Sequence, residues 1–397
     1  MDSFLLAVSL GALCIAVGQY VLYNIIMVIA GALRPPNLDY GFTPPITVII
    51  PAYNEEKHIR RKLENVLESD YPRELLHVVV ADDGSTDETA EQTRAFEARG
   101  VRLIRTAERR GKIYAQKMAF SQASTDIVAI TDTTVLTPAD GIRKLASHMS
   151  NPRVGAVSAS MSVRNRTVNF LTRISQFLFD IQNAQKLGES RLDSAAGLFG
   201  QFSLVRRDAV RDFPTDVIYE DREFGIMLRE AGYRARFEPR VVATYHAPES
   251  LGDFSKQKKR NVGAMTQSLL RHSKLLFNPR YGWYGLLIFP EYSLFRILRV
   301  YLLILSFLLA AVYCAVFEPA SAVSLLTSML VAVFGCYLFG TALLAPLVNS
   351  PARFLMNIIA SLPAMVIVAA YMATASTGYF RGDFSAVWER VKRDRTV

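Results

Sequence analysis

The chain has 397 residues, a formal net charge of +9 and an apolar fraction of 51%. This size and composition exclude an intrinsically disordered protein and a small disulfide-stapled module, and they allow a large hydrophobic core. Anionic lipid surfaces and phosphorylated substrates explain the positive charge more economically than nucleic acid does, so we expect no nucleic-acid partner.

Long apolar stretches lie near both ends of the chain. Runs of about 20 apolar residues are typical of transmembrane helices, and four are predicted, at residues 4–33, 300–317, 322–347 and 354–377. The first lacks the basic start and cleavage site of a signal peptide, so we interpret it as a retained anchor. The abundant lysine and arginine between the apolar ends predict a cytoplasmic location for that region.

The number of C-terminal crossings is open on sequence grounds. Three spans after a cytoplasmic domain would leave the basic tail, residues 381–397, outside, against the positive-inside rule. Either residues 281–295 form an additional crossing or one span is re-entrant. We favour a cytoplasmic tail.

The region after the first span repeats a strand-then-helix pattern. A β-branched run ends at Pro51 before a helical pattern, and a second strand, residues 75–81, precedes a turn in which Ser85 and Glu88 form a possible capping box for the next helix. Such alternation predicts a parallel sheet with helices on both faces and ligands beyond the carboxyl ends of the strands. Asp82, Asp83 and Asp132 all fall at such ends. Alone, "DDGSTD" is equally typical of a turn plus a helix cap, and its spacing does not fit a calcium loop.

The ordered motifs "VIIPAYNEE", "VVVADDGSTDET", "RRGK", "AITD", "GLFGQFSLVRRDAV" and "YEDREFGIMLREAGYRARFEP" resemble those of the family-2 glycosyltransferases, over about residues 45–265. The layout resembles the membrane-bound branch, which includes the synthases of cellulose, hyaluronan and chitin-like polymers. The resemblance implies an α/β, GT-A nucleotide-sugar-binding domain with a mostly parallel sheet, flanked by transmembrane helices. The predicted domains are an N-terminal anchor (1–34), a cytoplasmic GT-A domain (35–265), an amphipathic interfacial segment (266–299), C-terminal transmembrane helices (300–380) and a basic tail (381–397).

The resemblance also implies a donor site. It assigns the base pocket to Ala52, Tyr53 and Glu55. Asp83, with Asp82 as a second acid, is expected to contact the base or the ribose. Lys112 is expected to approach the diphosphate, although a solvated loop charge is the plain alternative.

The segment "KQKKRNVGA" resembles a Gln-x-x-Arg-Trp motif, with Gln257 and Arg260 in place and Asn261 where the tryptophan belongs. Arg260 can pair with phosphate through a forked set of hydrogen bonds. The missing aromatic ring puts processive extension of a polymer in doubt. The same basic run could bind anionic lipid.

A divalent cation, Mg²⁺ or Mn²⁺, is expected because carboxylates alone would repel a diphosphate. Asp132 occupies the first place of the family's Asp-x-Asp metal motif, and Thr134 stands where the second acid belongs. A hydroxyl binds a cation more weakly than a carboxylate, which predicts loose metal affinity. His246 is a candidate to complete the metal shell, and a histidine that only hydrogen-bonds in a loop is the simpler interpretation.

Glu220 and Asp221 begin a helix predicted to run to about Ala231, with Gly232 closing it. Acids at a helix N-terminus are also stabilised by its dipole, which needs no catalytic role. The resemblance makes Asp221 the general base that activates an acceptor hydroxyl for one inverting displacement. Acceptor contacts are expected from two residues upstream, Gly197 and Phe199.

The expected function is a membrane-embedded inverting glycosyltransferase, hexosyl or N-acetylhexosaminyl, in cell-surface glycan synthesis, placed in the inner membrane of a bacterium. The donor is a nucleotide sugar, by default a UDP-sugar, and the acceptor is a polysaccharide or a lipid-linked sugar. Polymer synthesis and single transfer both stay open. The alternative is a non-catalytic, degenerate subunit of a polysaccharide assembly or export complex, which has lost the second metal acid and the motif tryptophan.

Overall fold

The structure is a computed structural model, and it describes residues 2–33, 35–165, 169–210 and 213–360. Most of the predicted span at 354–377 and all of the basic tail lie outside these residues. The chain divides into two compact units. Among the described residues, the first, here called the helical unit, contains Met1–Leu33, Asp180–Gly188 and residues 250–360; the second, the sheet unit, contains Arg34–Phe179 and Glu189–Glu249.

The sheet unit is built on one seven-stranded sheet. Its strands, in chain order, are β1 (Ile46–Ala52), β2 (Leu76–Asp82), β3 (Val101–Arg105), β4 (Ile127–Thr131), β5 (Val154–Val163), β6 (Phe202–Arg206) and β7 (Arg234–Tyr245). The spatial order is β3-β2-β1-β4-β6-β5-β7. All neighbours are parallel except β6, which runs antiparallel to both β4 and β5. The predicted α/β class with a mostly parallel sheet is confirmed.

Ten further α-helices and two π-helical segments accompany α1 (Asp2–Gly31). Those before residue 250 are α2 (Ile59–Leu67), α3 (Thr89–Arg94), α4 (Lys112–Ser121), α5 (Gly141–Ala146), α6 (Phe170–Leu192) and α7 (Glu220–Glu230). Those after it are α8 (Leu251–Arg271), the π-helical segments Tyr284–Ile288 and Pro290–Phe295, α9 (Arg296–Val316), α10 (Ala322–Ala342) and α11 (Pro351–Ala360). This count covers only the described ranges.

The core of the sheet unit explains why its central strands read as continuous apolar runs. Every residue of β1 and β4 is buried, as expected for strands covered on both faces. One apolar cluster joins Ile130 of the sheet to Phe120 of α4 and Phe224 of α7. Phe213 packs edge-to-face against both of these phenylalanines. The two helices that carry the candidate charged residues are therefore fixed to the sheet by one apolar core.

Two local predictions have different outcomes. The helix from Glu220 is confirmed, and Gly232 follows it with φ +89°, a left-handed conformation that favours glycine. The capping box at Ser85 is wrong. Helix α3 begins later, at Thr89, and the Ser85 backbone N–H donates to Asp82 Oδ1 at 2.9 Å.

The helical unit contains three segments long and apolar enough to cross a membrane, Ser3–Gly31, Tyr284–Val316 and Pro319–Leu347. The π-helical segments run directly into α9, so the described chain has no separate crossing at residues 281–295. Polar pairs join the helices inside this unit. The Ser9 and Ser306 hydroxyls each donate to the other's backbone carbonyl, at 2.8 and 2.7 Å, which ties α1 to α9.

Candidate active site

Four chain segments meet at one edge of the sheet. Ala52 at the end of β1 is paired with Asp82 at the end of β2, and Asp132 follows the end of β4. Because β6 runs antiparallel to β4, the first residues of β6 lie at the same edge, where Phe202 is paired with Thr131. The strand-end acids predicted from the sequence thus share an edge with the "GLFGQFS" segment.

Asp82 and Asp83 are both buried, and each is held by protein groups. Asp82 pairs with the Arg105 guanidinium, Nε to Oδ2, at 3.1 Å. The two carboxylate oxygens of Asp83 accept backbone N–H groups from Arg110 and Gly111, each at 2.7 Å. The pair therefore fixes the segment before Lys112. A base or ribose contact by either acid stays a prediction.

Lys112 connects two acids from different parts of the chain. This first residue of α4 places its ammonium 2.8 Å from Asp132 Oδ1 and 3.4 Å from Glu220 Oε1. Burial alone would lower the pKa of Lys112, but the charges of Asp132 and Glu220 hold that pKa above its usual value. The lysine is therefore a permanent cation at the strand ends.

Asp221 is oriented by two backbone N–H groups. Its Oδ2 accepts from Gly200 at 2.7 Å and its Oδ1 accepts from Arg222 at 2.8 Å. Burial, together with the neighbouring Glu220 charge, raises the pKa of Asp221 to about 6, and the Lys112 charge opposes this rise. A carboxylate with a raised pKa is a better proton acceptor than an ordinary one and still ionises near neutral pH.

Two glycines of the segment before β6 allow α7 to approach closely. A Cβ on Gly225 of α7 would lie 2.6 Å from the Gly197 Cα, and a Cβ on Gly200 would lie 2.7 Å from Asp221 Oδ2. Phe199 is buried in edge-to-face contact with Phe179. Gly197 thus allows the close approach of α7, Phe199 packs against α6 and β7, and the predicted contacts of both residues with an acceptor stay predictions.

Lys62 lies buried behind the Asp132 segment. Its ammonium donates to Thr131 Oγ1 at 2.8 Å and to the Val135 carbonyl at 2.7 Å, so it bridges the residues on either side of Asp132–Thr134. Burial lowers the pKa of Lys62 to about 7, and the Asp132 charge opposes this. The sequence carried one signal for it: position 62 shares a helix face with the buried Ile59, Leu63 and Val66.

The predicted base pocket residues follow β1. Ala52 is buried and its carbonyl accepts from the Asp83 N–H at 2.8 Å. The Arg109 guanidinium stacks over the Tyr53 ring, 4.4 Å from its centroid. Glu55 is buried, and its backbone N–H donates to Thr89 Oγ1 at 2.7 Å. The contact between Arg109 and Tyr53 was not predicted from the sequence, in which Arg109 is only a charged residue of a loop.

The predicted metal residues do not form a complete cation shell. Asp132 has an accessible carboxylate and Thr134 is buried, while His246 Nε2 lies 3.3 Å from Arg164 Nη2. Across the described ranges, no group of three or more His, Cys, Asp or Glu side chains could hold a metal ion. Gln257 and Arg260 lie on α8 of the helical unit. Metal binding by His246 and phosphate binding by Arg260 stay predictions.

The match to protein families agrees with this geometry. Residues 47–213, which span β1 to the loop after β6, match the model of "Glycosyl transferase family 2". The chain carries a family 2 glycosyltransferase domain. Lys112 and Asp132 lie within the matched residues, and Asp221 lies after them.

Curated relatives of the glycosyltransferase domain are moderately similar. An N-acetylglucosaminyltransferase of Rhizobium meliloti (strain 1021) is 31% identical over 234 residues, which cover 55% of this chain and 54% of the relative. A poly-beta-1,6-N-acetyl-D-glucosamine synthase of Staphylococcus aureus (strain COL) is 28% identical over 244 residues, which cover 60% of this chain and 58% of the relative. The alignments thus span little more than half the length of these relatives.

A solved structure shares the fold over nearly the whole chain. The mannosyltransferase PcManGT from Pyrobaculum calidifontis, in complex with GDP-Man and Mn²⁺, superposes with a TM-score of 0.71 at 24% identity. The superposition covers 95% of this chain and 99% of that chain. The glycosyltransferase domain has the GT-A fold, as predicted.

Proposed function

We propose that the protein is a membrane-associated inverting glycosyltransferase that moves a hexosyl or N-acetylhexosaminyl group from a nucleotide sugar to a lipid-linked or polysaccharide acceptor. The observation that carries this proposal is the cluster of Lys112, Asp132, Glu220 and Asp221 at the sheet edge. It combines a cation for a phosphate, an accessible strand-end acid and an oriented base. The names of the curated relatives favour an N-acetylhexosamine.

Asp221 is the proposed general base. Its carboxylate takes the proton of the acceptor hydroxyl while that oxygen bonds to the anomeric carbon of the donor sugar. The bond from the anomeric carbon to the diphosphate oxygen breaks on the opposite face, so the configuration inverts in one step. The N–H groups of Gly200 and Arg222 hold the carboxylate in one orientation, which reduces the reorganisation needed before proton transfer.

Lys112 is the proposed partner of the leaving group. Negative charge grows on the nucleoside diphosphate as the glycosidic bond breaks, and a fixed cation at the sheet edge stabilises it. Its present partners, Asp132 and Glu220, keep the ammonium at that edge.

Asp132, with Thr134 as a weaker second group, is the proposed holder of Mg²⁺ or Mn²⁺. Mg²⁺ is commonly bound through one or two carboxylates plus substrate phosphates and water, so one accessible acid fits this ion. A side chain that already pairs with an ammonium at 2.8 Å is suited to a cation. When bound, the metal would supply Lewis-acid stabilisation of the diphosphate charge.

The membrane is the proposed location of the acceptor. Three candidate spans and a net charge of +9 favour a multi-pass protein of a bacterial inner membrane with its catalytic domain in the cytoplasm. A UDP-sugar is the proposed donor, bound with its base near Tyr53 and Glu55. Such a site joins a soluble donor to an acceptor that stays in or at the bilayer.

The test is the release of nucleoside diphosphate by purified full-length protein, assayed with a panel of UDP- and GDP-sugars, with Mn²⁺ or with a chelator. Asp221→Asn is expected to lower kcat about 100-fold to 10,000-fold, the usual contribution of a general base. The matched control is Asp140→Asn, because that acid pairs with Lys144 on the surface, away from the proposed site. Undiminished turnover in Asp221→Asn contradicts the base assignment. A wild-type protein that turns over no donor favours the non-catalytic alternative.

A further inference from the structure

Gln201 is the one accessible residue in an otherwise buried segment. From Asp193 to Val205, all of which the structure describes, every other residue is buried. This segment includes Gly197, Phe199 and Gly200, which pack against other parts of the sheet unit. Within this segment, Gln201 is therefore the one residue that is partly exposed to solvent.

The backbone around Gln201 connects the two functional ends of the proposed site. The Gln201 carbonyl accepts the Asp132 N–H at 3.4 Å. The residue before it, Gly200, donates its N–H to Asp221 Oδ2 at 2.7 Å. Gln201 is thus tied on one side to the acid assigned to the diphosphate and on the other to the proposed base.

The side-chain amide of Gln201 is incompletely satisfied. Its Oε1 is enclosed by protein and accepts no hydrogen bond from any described residue. An enclosed amide oxygen without a donor is unfavourable unless a bound molecule supplies one. A hydroxyl or an amide N–H is the group that completes it. Every hexose carries hydroxyls, and an N-acetylhexosamine also carries an amide N–H.

We propose that the Gln201 amide oxygen accepts a hydrogen bond from a hydroxyl or amide N–H of the transferred sugar, which makes Gln201 a specificity-determining residue. The inference rests on the proposed function. In that reaction the transferred sugar lies between its diphosphate and the acceptor hydroxyl, and so between the neighbourhoods of Asp132 and Asp221. The Gln201 carbonyl contacts Asp132, and the preceding residue, Gly200, contacts Asp221.

The test compares binding of a nucleotide sugar with binding of the same nucleotide without its sugar. Calorimetry on the full-length protein with Mn²⁺ measures the binding of two probe pairs. One pair is UDP-N-acetylglucosamine and UDP, and the other is GDP-mannose and GDP. Gln201→Met keeps the length of the side chain and removes the amide. For the pair that binds, we expect the affinity for the nucleotide sugar to fall about fivefold to tenfold, the effect of one neutral hydrogen bond. The affinity for the nucleoside diphosphate should not change.

The matched control is Gln122→Met, because Gln122 is exposed and pairs with Arg102 on the surface. Unchanged affinity for the nucleotide sugar in Gln201→Met overturns the inference and leaves the proposed function intact. Equal losses for both members of a pair also overturn it, because they indicate a damaged loop rather than a lost sugar contact. If the wild type binds neither pair and releases no nucleoside diphosphate, the proposed function fails and the inference fails with it.

Discussion

At the scale of single residues, burial and the Glu220 charge raise the pKa of Asp221, and the charge on Lys112 opposes this rise. We expect kcat/KM to rise with pH through a midpoint near 6, because Asp221 of the free protein must lose its proton to act as a base. Lys112→Met should move this midpoint upward, because the lysine charge favours the ionised carboxylate. The measurement is the pH dependence of single-turnover nucleoside diphosphate release by both proteins.

The control for this pH dependence is Lys144→Met, which removes a surface lysine that pairs with Asp140. That variant should keep the wild-type midpoint and rate. A downward or absent shift in Lys112→Met would contradict the electrostatic link between Lys112 and Asp221, even if the rate falls.

Individual residues also show how far the sequence could be interpreted. The positions of Asp132 and Asp221, after a strand end and at a helix start, were predicted because motifs fix them, and their roles stay predictions. Lys62 and Gln201 were missed. A lysine on the apolar face of α2 needs tertiary partners to be recognised as buried, and those partners, Thr131 and Val135, lie about 70 positions away.

At the scale of elements, the packing of α7 against the segment before β6 determines where Asp221 lies. Gly225→Ala adds a Cβ 2.6 Å from the Gly197 Cα, so α7 must move away by roughly 1 Å. Asp221 is one turn along the same helix. We expect a loss of stability of about 1–3 kcal/mol and a fall in kcat of about 10-fold to 100-fold, since small displacements of a base are costly. Thermal unfolding in detergent and nucleoside diphosphate release measure the two effects.

Gly18→Ala is the control for that substitution, because a Cβ on this helical glycine of α1 meets nothing within 4 Å. It should leave kcat unchanged. If Gly225→Ala keeps full activity, the close approach of α7 does not position the base.

The elements themselves were only partly predictable. The parallel strands β1, β2 and β4 follow from their continuous apolar runs. The antiparallel direction of β6 does not, because strand direction depends on which edge of the sheet the chain reaches after α6. That direction is what brings Gln201 to the edge of Asp132. The late start of α3 has a similar cause, since Ser85 bonds to Asp82 and leaves the helix to begin at Thr89.

At the scale of the whole molecule, the long helical run of the helical unit exceeds the thickness of a bilayer. Tyr284–Val316 has 33 residues, which at 1.5 Å per residue is about 50 Å, against about 30 Å of hydrocarbon. Its charged side chains lie in the first half: Glu291, nearly fully buried, bonds to Arg299 and Gln19. The sequence divided this run into two segments because those charges interrupt its apolar pattern.

The ion pairs of Lys112 have a consequence for handling the protein. Asp132 and Glu220 have an internal counter-ion, so their mutual repulsion is neutralised without any added cation. We expect a chelator to abolish transfer while the midpoint of thermal unfolding shifts by less than about 2 °C. Lys112→Met should instead melt lower in chelator and regain stability when Mn²⁺ is added. A wild-type protein that unfolds in chelator would show that the metal is structural. We therefore expect that the protein can be purified and stored without metal, and that the cation takes part in the proposed reaction without being needed for the fold.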